Sequence, residues 1–290
     1  MARKKDGLAV FRLLFAILLL TASLGARELP IRSFTTADGL ADNRVVRIVS
    51  DSRGLLWICT GGGISRFDGA HFQSFGVAQG LPFPAINDLI ETPEGDLWLA
   101  SNGGGVIRFS LSSATRRYEA FPVSSEPTSN RVNRLMRGPD GAIWVGTDGG
   151  LFRMAAGANG TPAFTRVSLR RRGHPDEMVQ VWAIVRDPEG SLWVGTRFGL
   201  IRILSGGRIV SYAIRRNSET DNVFSLLYTP EDGLLWIGHQ APCGHFLWTA
   251  REGQLAVGRR VHQPRDNAQI RQSPGRESGI ATRAGRGGSF

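Results

Sequence analysis

The sequence predicts an all-β fold, a β-propeller of about five recognisable four-stranded blades. A phrase reading Gly-x-Leu-Trp-Ile-x-Thr, then a glycine-rich step, then an apolar residue followed by x-Arg, recurs five times. Its copies centre on Trp57, Trp98, Trp144, Trp193 and Trp236, at spacings of 41, 46, 49 and 43 residues. A period of that length with strand chemistry inside it marks a propeller blade. The residues beside each Trp are consecutively apolar rather than alternating, so the strand is covered on both faces. A blade meets that requirement because each sheet is sandwiched between two others.

Residues 1–25 are a different object. Arg3, Lys4 and Lys5 form a basic start, Leu13–Leu20 an apolar middle of eight residues, and Ser23-Leu-Gly25 a small-residue exit. This is the grammar of a secretory signal peptide, cut near Gly25 or Ala26, and the apolar run is short for a membrane span of about 20 residues. The propeller, residues 26–238, is therefore expected outside the cytoplasm, in the periplasm.

Within each repeat, a first strand carries an apolar residue nine positions before a turn glycine, at Val45, Ile86, Val132, Val181 and Phe224. Another stands six positions before it, at Ile48, Leu89, Leu135, Ile184 and Leu227. The turn glycines are Gly54, Gly95, Gly141, Gly190 and Gly233, preceded by Asp, Pro or Glu. Proline sets φ early in such a turn and glycine supplies positive φ at its end. The second strand holds the five tryptophans, which are expected to be core residues. A glycine follows in three copies (Gly146, Gly195, Gly238), where a neighbouring backbone comes close. Thr60, Ser101, Thr147 and Thr196 then lead through a second turn to a strand carrying Arg66, Arg108, Arg153 and Arg202. These arginines are expected to stack on an aromatic ring or cross to a neighbouring strand. Phe72 and Phe75, Tyr118 and Phe121, or Tyr212 mark the outer strand.

The two ends of the pattern differ. Ile31–Leu40 reads like Phe72–Leu81, an outer strand and its linker, so residues 30–35 are expected to close the ring by completing the last blade. In the fifth copy the pattern holds through Gly238; then His239 replaces Thr, Pro242 the turn glycine and His245 the Arg. Residues 239–290 are expected to be irregular, either disordered or an out-of-frame tail rich in Arg and Gly.

Composition excludes several functions. The formal charge is +10, but residues 1–27 contribute +4 and residues 251–290 contribute +5. The blades are nearly neutral, which argues against nucleic acid as a partner. Cys59 takes a strand-glycine position and Cys243 follows the break in the pattern, so no disulfide is expected. His239, Cys243, His245 and His262 match no zinc spacing, and no metal or cofactor is expected. Gly61–Gly63 and Gly103–Gly105 lack the Lys and helix of a phosphate loop. No serine stands in a nucleophile elbow, so no catalytic residue is assigned. An Asn recurs eleven positions before the turn glycine (Asn43, Asn130, Asn222), suited to bonding the backbone where the innermost strand begins. A ligand on the central face would meet the loops near Asn43, Asn87, Asn130 and Asn222.

The Asn-x-Val approach, Asp-x-x-Gly turn, Leu-Trp-Ile-Gly-Thr strand and Gly-Leu-x-Arg exit closely resemble the two-component regulator propeller repeat, over residues 31–238. Phe34-Thr-Thr-Ala-Asp-Gly-Leu40 resembles the mature start of such sensors. The resemblance implies an extracytoplasmic propeller, usually seven-bladed, ahead of a β-sandwich, a membrane helix and a kinase or cyclase. It also implies ligands that in some members are oligosaccharides. Five blades without those followers read as an incomplete seven-bladed propeller, a ligand-sensing fragment that is not itself an enzyme. Its open blade faces and sheet edge are expected to self-associate. Two alternatives stand beside this reading. One is a non-catalytic scaffold or interaction propeller. The other is a streptogramin-lyase-like enzyme, which needs a His and acidic cluster on the central face where the blades offer only His71 and His174.

Overall fold

The structure, a computed structural model, describes residues 31–111, 117–157, 160–169, 179–212, 221–241, 244–251 and 254–261. The expected signal peptide and residues 262–290 lie outside them. The chain divides into two units, Met1–Phe34 and Thr35–Phe290. In the first, residues 31–34 form no strand, and the Arg32 guanidinium lies 4.6 Å from the centre of the Phe34 ring.

The second unit holds five four-stranded antiparallel sheets, each in plain chain order. Blade 1 is β1 (Val45–Ser50), β2 (Leu56–Thr60), β3 (Ile64–Phe67) and β4 (Phe72–Phe75). Blade 2 is β5 (Ile86–Glu91), β6 (Leu97–Ser101), β7 (Val106–Ser110) and β8 (Arg117–Phe121). Blade 3 is β9 (Val132–Arg137), β10 (Ile143–Thr147), β11 (Gly150–Ala156) and β12 (Pro162–Val167). Blade 4 is β13 (Val181–Arg186), β14 (Leu192–Thr196), β15 (Gly199–Ile203) and β16 (Ile209–Tyr212). Blade 5 is β17 (Val223–Thr229), β18 (Leu234–Ala241), β19 (Gly244–Arg251) and β20 (Gln254–Val261). The hairpin between the first two strands follows from its glycine, whose φ runs from 66° at Gly233 to 88° at Gly190.

The first strands neighbour one another in the succession β1, β5, β9, β13, β17. Each blade therefore has a face toward the blade before it and a face toward the blade after it. The tryptophan always looks forward. Trp57 packs with Ile86, Leu89, Leu97 and Leu99 of blade 2. Trp98 meets Val132, Leu135, Ile143 and Val145 of blade 3. Trp144 meets Val181, Ile184, Leu192 and Val194, and Trp193 meets Val223, Leu226, Leu235 and Ile237. The strand glycines make room at the same junctions. A Cβ on Gly146 would stand 2.7 Å from Val181 Cγ1, and one on Gly195 2.7 Å from both Val223 Cγ1 and the Val223 carbonyl.

Three expectations need correcting. Phe224 and Leu227 are not the core positions of the fifth copy. The pairings Val223↔His239 and Leu226↔Ile237 match Val181↔Thr196 and Ile184↔Val194 of blade 4, because the fifth turn is one residue longer. Val223 and Leu226 are buried, while Phe224 and Leu227 are exposed. Residues 31–35 form no closing strand. Thr35 instead begins a short 3-10 turn, Thr36–Asp38, its N–H donating to Asp38 Oδ2 at 2.8 Å. The turn Val77–Gln79 repeats this with Gly76 N–H and Gln79 Oε1 at 2.8 Å, so only the linker half of the resemblance is structural. Finally, the chain does not turn irregular at residue 239; paired strands continue to Val261. Gly244–Arg251 and Gln254–Val261 lose the repeat motif yet keep the strand-forming residues Phe246, Trp248, Val257 and Val261.

Candidate functional site

The residues that recur in every blade bond to one another. Trp57 Nε1 donates to Asp51 Oδ2 at 3.0 Å and Trp193 Nε1 to Asp187 Oδ2 at 2.9 Å. In blade 5, Thr229 Oγ1 accepts from Trp236 Nε1 at 3.2 Å. The recurring arginines join the same turns: Arg108 Nε to Asp96 Oδ2 at 2.7 Å, Arg153 Nη2 to Asp140 Oδ2 at 2.7 Å, and Arg202 Nη2 to Asp187 Oδ2 at 2.8 Å. Arg202 also lies 4.7 Å from the centre of the Trp193 ring. Burial pushes the Asp51 carboxyl up, but hydrogen bonds from Trp57, Leu55 and Arg53 outweigh it and hold its pKa below the ordinary value. The hydroxyls of Thr60, Ser101, Thr147 and Thr196 each donate to a turn glycine carbonyl, at 2.8–2.9 Å. All of these bonds lie within single blades and fix each blade's own turns.

The four asparagines do not form one set. Asn43 Oδ1 accepts from Thr36 N–H at 2.8 Å, and Asn130 Oδ1 accepts from Val123 N–H at 2.7 Å, each closing the seven-residue loop before its strand. Asn87 instead sits on β5 and donates across a blade junction to the Val132 carbonyl at 2.8 Å. Asn133, which sequence reasoning passed over, makes the matching bond to the Val181 carbonyl at 3.1 Å. Asn222 falls one position out of register with Asn43 and Asn130; its Oδ1 is buried and meets no donor among the described residues.

Asn87 and Asn133 occupy a column set by a β-bulge near the start of each first strand, between Val45 and Arg47, Ile86 and Asp88, Val181 and Ala183, or Val223 and Ser225. A bulge leaves one residue outside the ladder and re-aims its side chain, and bulges gather beside functional sites. The column reads Val46, Asn87, Asn133, Trp182 and Phe224. In the last two blades the amides give way to an aromatic pair, with Trp182 and Phe224 ring centres 4.4 Å apart. The next position carries an ionic bridge over three blades: Asp88 pairs with Arg47 at 2.5 Å and Arg134 at 3.5 Å, and accepts from Leu135 N–H at 3.0 Å.

The start of blade 5 departs furthest from the repeat. His239 takes the place of the recurring Thr, and its Nε2 lies 2.7 Å from Asp221 Oδ1, with both side chains buried. A general base must reach its substrate, and this pair is enclosed. His71 is exposed beside Asp68 on the far side of blade 1. Among the described residues no three His, Cys, Asp or Glu side chains gather to hold a metal ion. Cys243, His262 and His174 lie outside the described residues. Asp221, Asn222, Phe224, His239 and Trp182 thus belong to the strand starts of blades 4 and 5; Asn222 is visible in the recurring Asn, while His239 shows only as a deviation from the repeat.

The two component regulator propeller profile matches residues 39–62, 126–149 and 177–198. Three of the five blades thus carry a match to that repeat. The chain is similar to the extracellular domain of a one component system from B. thetaiotaomicron, with 24% identity and a TM-score of 0.61 over 76% of this chain and 28% of that one. It is similar to the extracellular domain of a hybrid two component system from the same organism, with 19% identity and a TM-score of 0.55 over 77% of this chain and 34% of that one. Virginiamycin B lyase from Staphylococcus aureus shares the fold at 16% identity and a TM-score of 0.57, over 76% of this chain and 71% of the lyase. The chain thus spans about a third or less of the sensor domains it resembles. No curated protein matches it.

Proposed function

We propose that this chain is an extracytoplasmic ligand-sensing module of a two-component system, without catalysis of its own. The bulge column on the innermost strands carries the reading. It carries Asn87 and Asn133 in blades 2 and 3, each bonding a carbonyl of the next blade, and the Trp182–Phe224 pair in blades 4 and 5, with Asn222 two residues before Phe224 in the chain. An aromatic surface flanked by polar side chains suits a polar ligand with an apolar face, such as an oligosaccharide. The matched repeats and the likeness to extracellular sensor domains support the signalling setting and an address outside the cytoplasm. The enclosure of His239 and Asp221 favours sensing over lyase chemistry.

A glycan array probed with the full chain tests this. Binding should be weakened at least tenfold by Phe224→Ala and by Asn222→Ala. Asn130→Ala should weaken it less, because that side chain closes a loop. No glycan retained, or retention unchanged by Phe224→Ala, would leave the scaffold reading. That reading draws on the way Asn43, Asn87 and Asn130 bond the backbone.

A further inference from the structure

The two end blades expose opposite faces of one repeating junction. On the face of blade 1 that looks away from blade 2, Val45 is 44% exposed, Ile48 58% and Leu56 39%. Their counterparts in the other four blades are Ile86, Leu89 and Leu97; Val132, Leu135 and Ile143; Val181, Ile184 and Leu192; and Val223, Leu226 and Leu235, none above 9%. Those counterparts are covered because the tryptophan face of the preceding blade lies on them. Blade 5 shows the complement. Leu227 corresponds to Val49, Ile90, Met136 and Val185, all half-buried, yet it is 60% exposed, and Trp236 opposite it meets no following blade among the described residues.

We propose that a second copy of this chain covers these faces, the forward face of blade 5 in one copy seating on the open face of blade 1 in the next. The four internal junctions already pair these two columns: a tryptophan and an aliphatic residue from one blade against three aliphatics of the next. A head-to-tail contact repeats that chemistry with the same residue types. Two copies of the blade 1 face set against each other would bring together Val45, Ile48 and Leu56 with no tryptophan between them. The contact is heterologous, so it propagates into rings or open chains instead of stopping at a pair. Apolar sheet faces left uncovered are unusual for a soluble monomer, which adds to the drive for association.

The test uses the full chain and two substitutions at exposed positions, Ile48→Glu and Leu227→Glu. Light scattering should show the wild-type mass rising with concentration above the 31.6 kDa monomer. Each variant alone should be monomeric, because every copy lacks the same half of the contact. An equimolar mixture should form a species of twice the monomer mass and no larger, through the intact half of each. Circular dichroism and urea unfolding should match wild type, since neither side chain is in the core. A fold disturbed by glutamate would be replaced by Ile48→Ser and Leu227→Ser, with the same expected masses. A wild-type monomer at all concentrations overturns the proposal. So does self-association of Leu227→Glu alone, or a mixture that stays monomeric.

Discussion

Trp193 donates its indole N–H to Asp187 at 2.9 Å, joining the centre of a blade to the turn that precedes it. Asp187 also accepts from Ser191 N–H at 2.6 Å and Arg202 Nη2 at 2.8 Å. One carboxylate thus orders a turn, fixes a tryptophan and anchors an arginine. Asp187→Ala strands a buried N–H and most of a guanidinium charge, and should lower unfolding stability by about 3 kcal/mol. Thr229→Ala in blade 5 removes the bond from Trp236 Nε1 together with exposed or half-buried bonds to Asp232 and the Leu234 carbonyl, and should cost about 1 kcal/mol. Urea denaturation of both variants, followed by tryptophan fluorescence, measures the difference.

Gly195 has no room for a side chain. Its added Cβ would meet Val223 at 2.7 Å on both side chain and backbone, so Gly195→Ala must push blade 5 away from blade 4. The expected loss is about 1–3 kcal/mol. Gly206 has open space around it, and Gly206→Ala should stay within about 0.5 kcal/mol of wild type. Thermal unfolding of the pair reads out the contrast.

Asp88 should give the stability an uncommon pH dependence. Burial raises its pKa to about 6, against the opposing pull of Arg47, where an ordinary Asp sits at 3.8. The folded state therefore holds this proton more tightly than the unfolded chain does. The stabilisation is complete below the unfolded value and is lost as pH rises through about 6. Asp88→Asn lacks the titration. The stability of wild type relative to Asp88→Asn should thus be greater at low pH and fall through this window. Asp51 and Asp140 behave oppositely, their lowered values favouring the folded state only while they are ionised. Urea midpoints of both proteins across pH 4.5 to 7.5 isolate the Asp88 share.

Cys59 lies fully buried in the strand-glycine column, and burial pushes its thiol pKa well up. It should react with a disulfide reagent only after unfolding, because the thiolate is the nucleophile and is both scarce and enclosed. A thiol colour assay with and without urea, on Cys243→Ser protein, checks this. Rapid labelling of the folded chain would contradict the packing of blade 1 on blade 2.

The blades were legible because Trp57, Trp98, Trp144, Trp193 and Trp236 repeat in step with their turns, and a period is visible without knowing any contact. The forward direction of each tryptophan was not legible, since it depends on which blade lies on which face. Counting from Gly233 puts the fifth register one residue out, because its turn carries one extra residue. Pairing across β17 and β18 sets the register there, and no local sequence signal reports it. The strands after Gly238 are not legible from the repeat, because the motif ends there while strand formers such as Phe246, Trp248 and Val257 continue. At the candidate site, Asn43 and Asn130 were legible as loop-closing side chains. Asn133 and the Trp182–Phe224 pair were not, because a bulge is a property of paired strands.

The forward-facing indoles give the fold a polarity that damage should follow. A lesion in one blade should loosen the packing of its successor more than that of its predecessor, and among the described residues Trp236 rests on no successor. Amide exchange should then fall off toward the interior from blade 5, which opens first, as in a stack of tiles where the last is held along a single side.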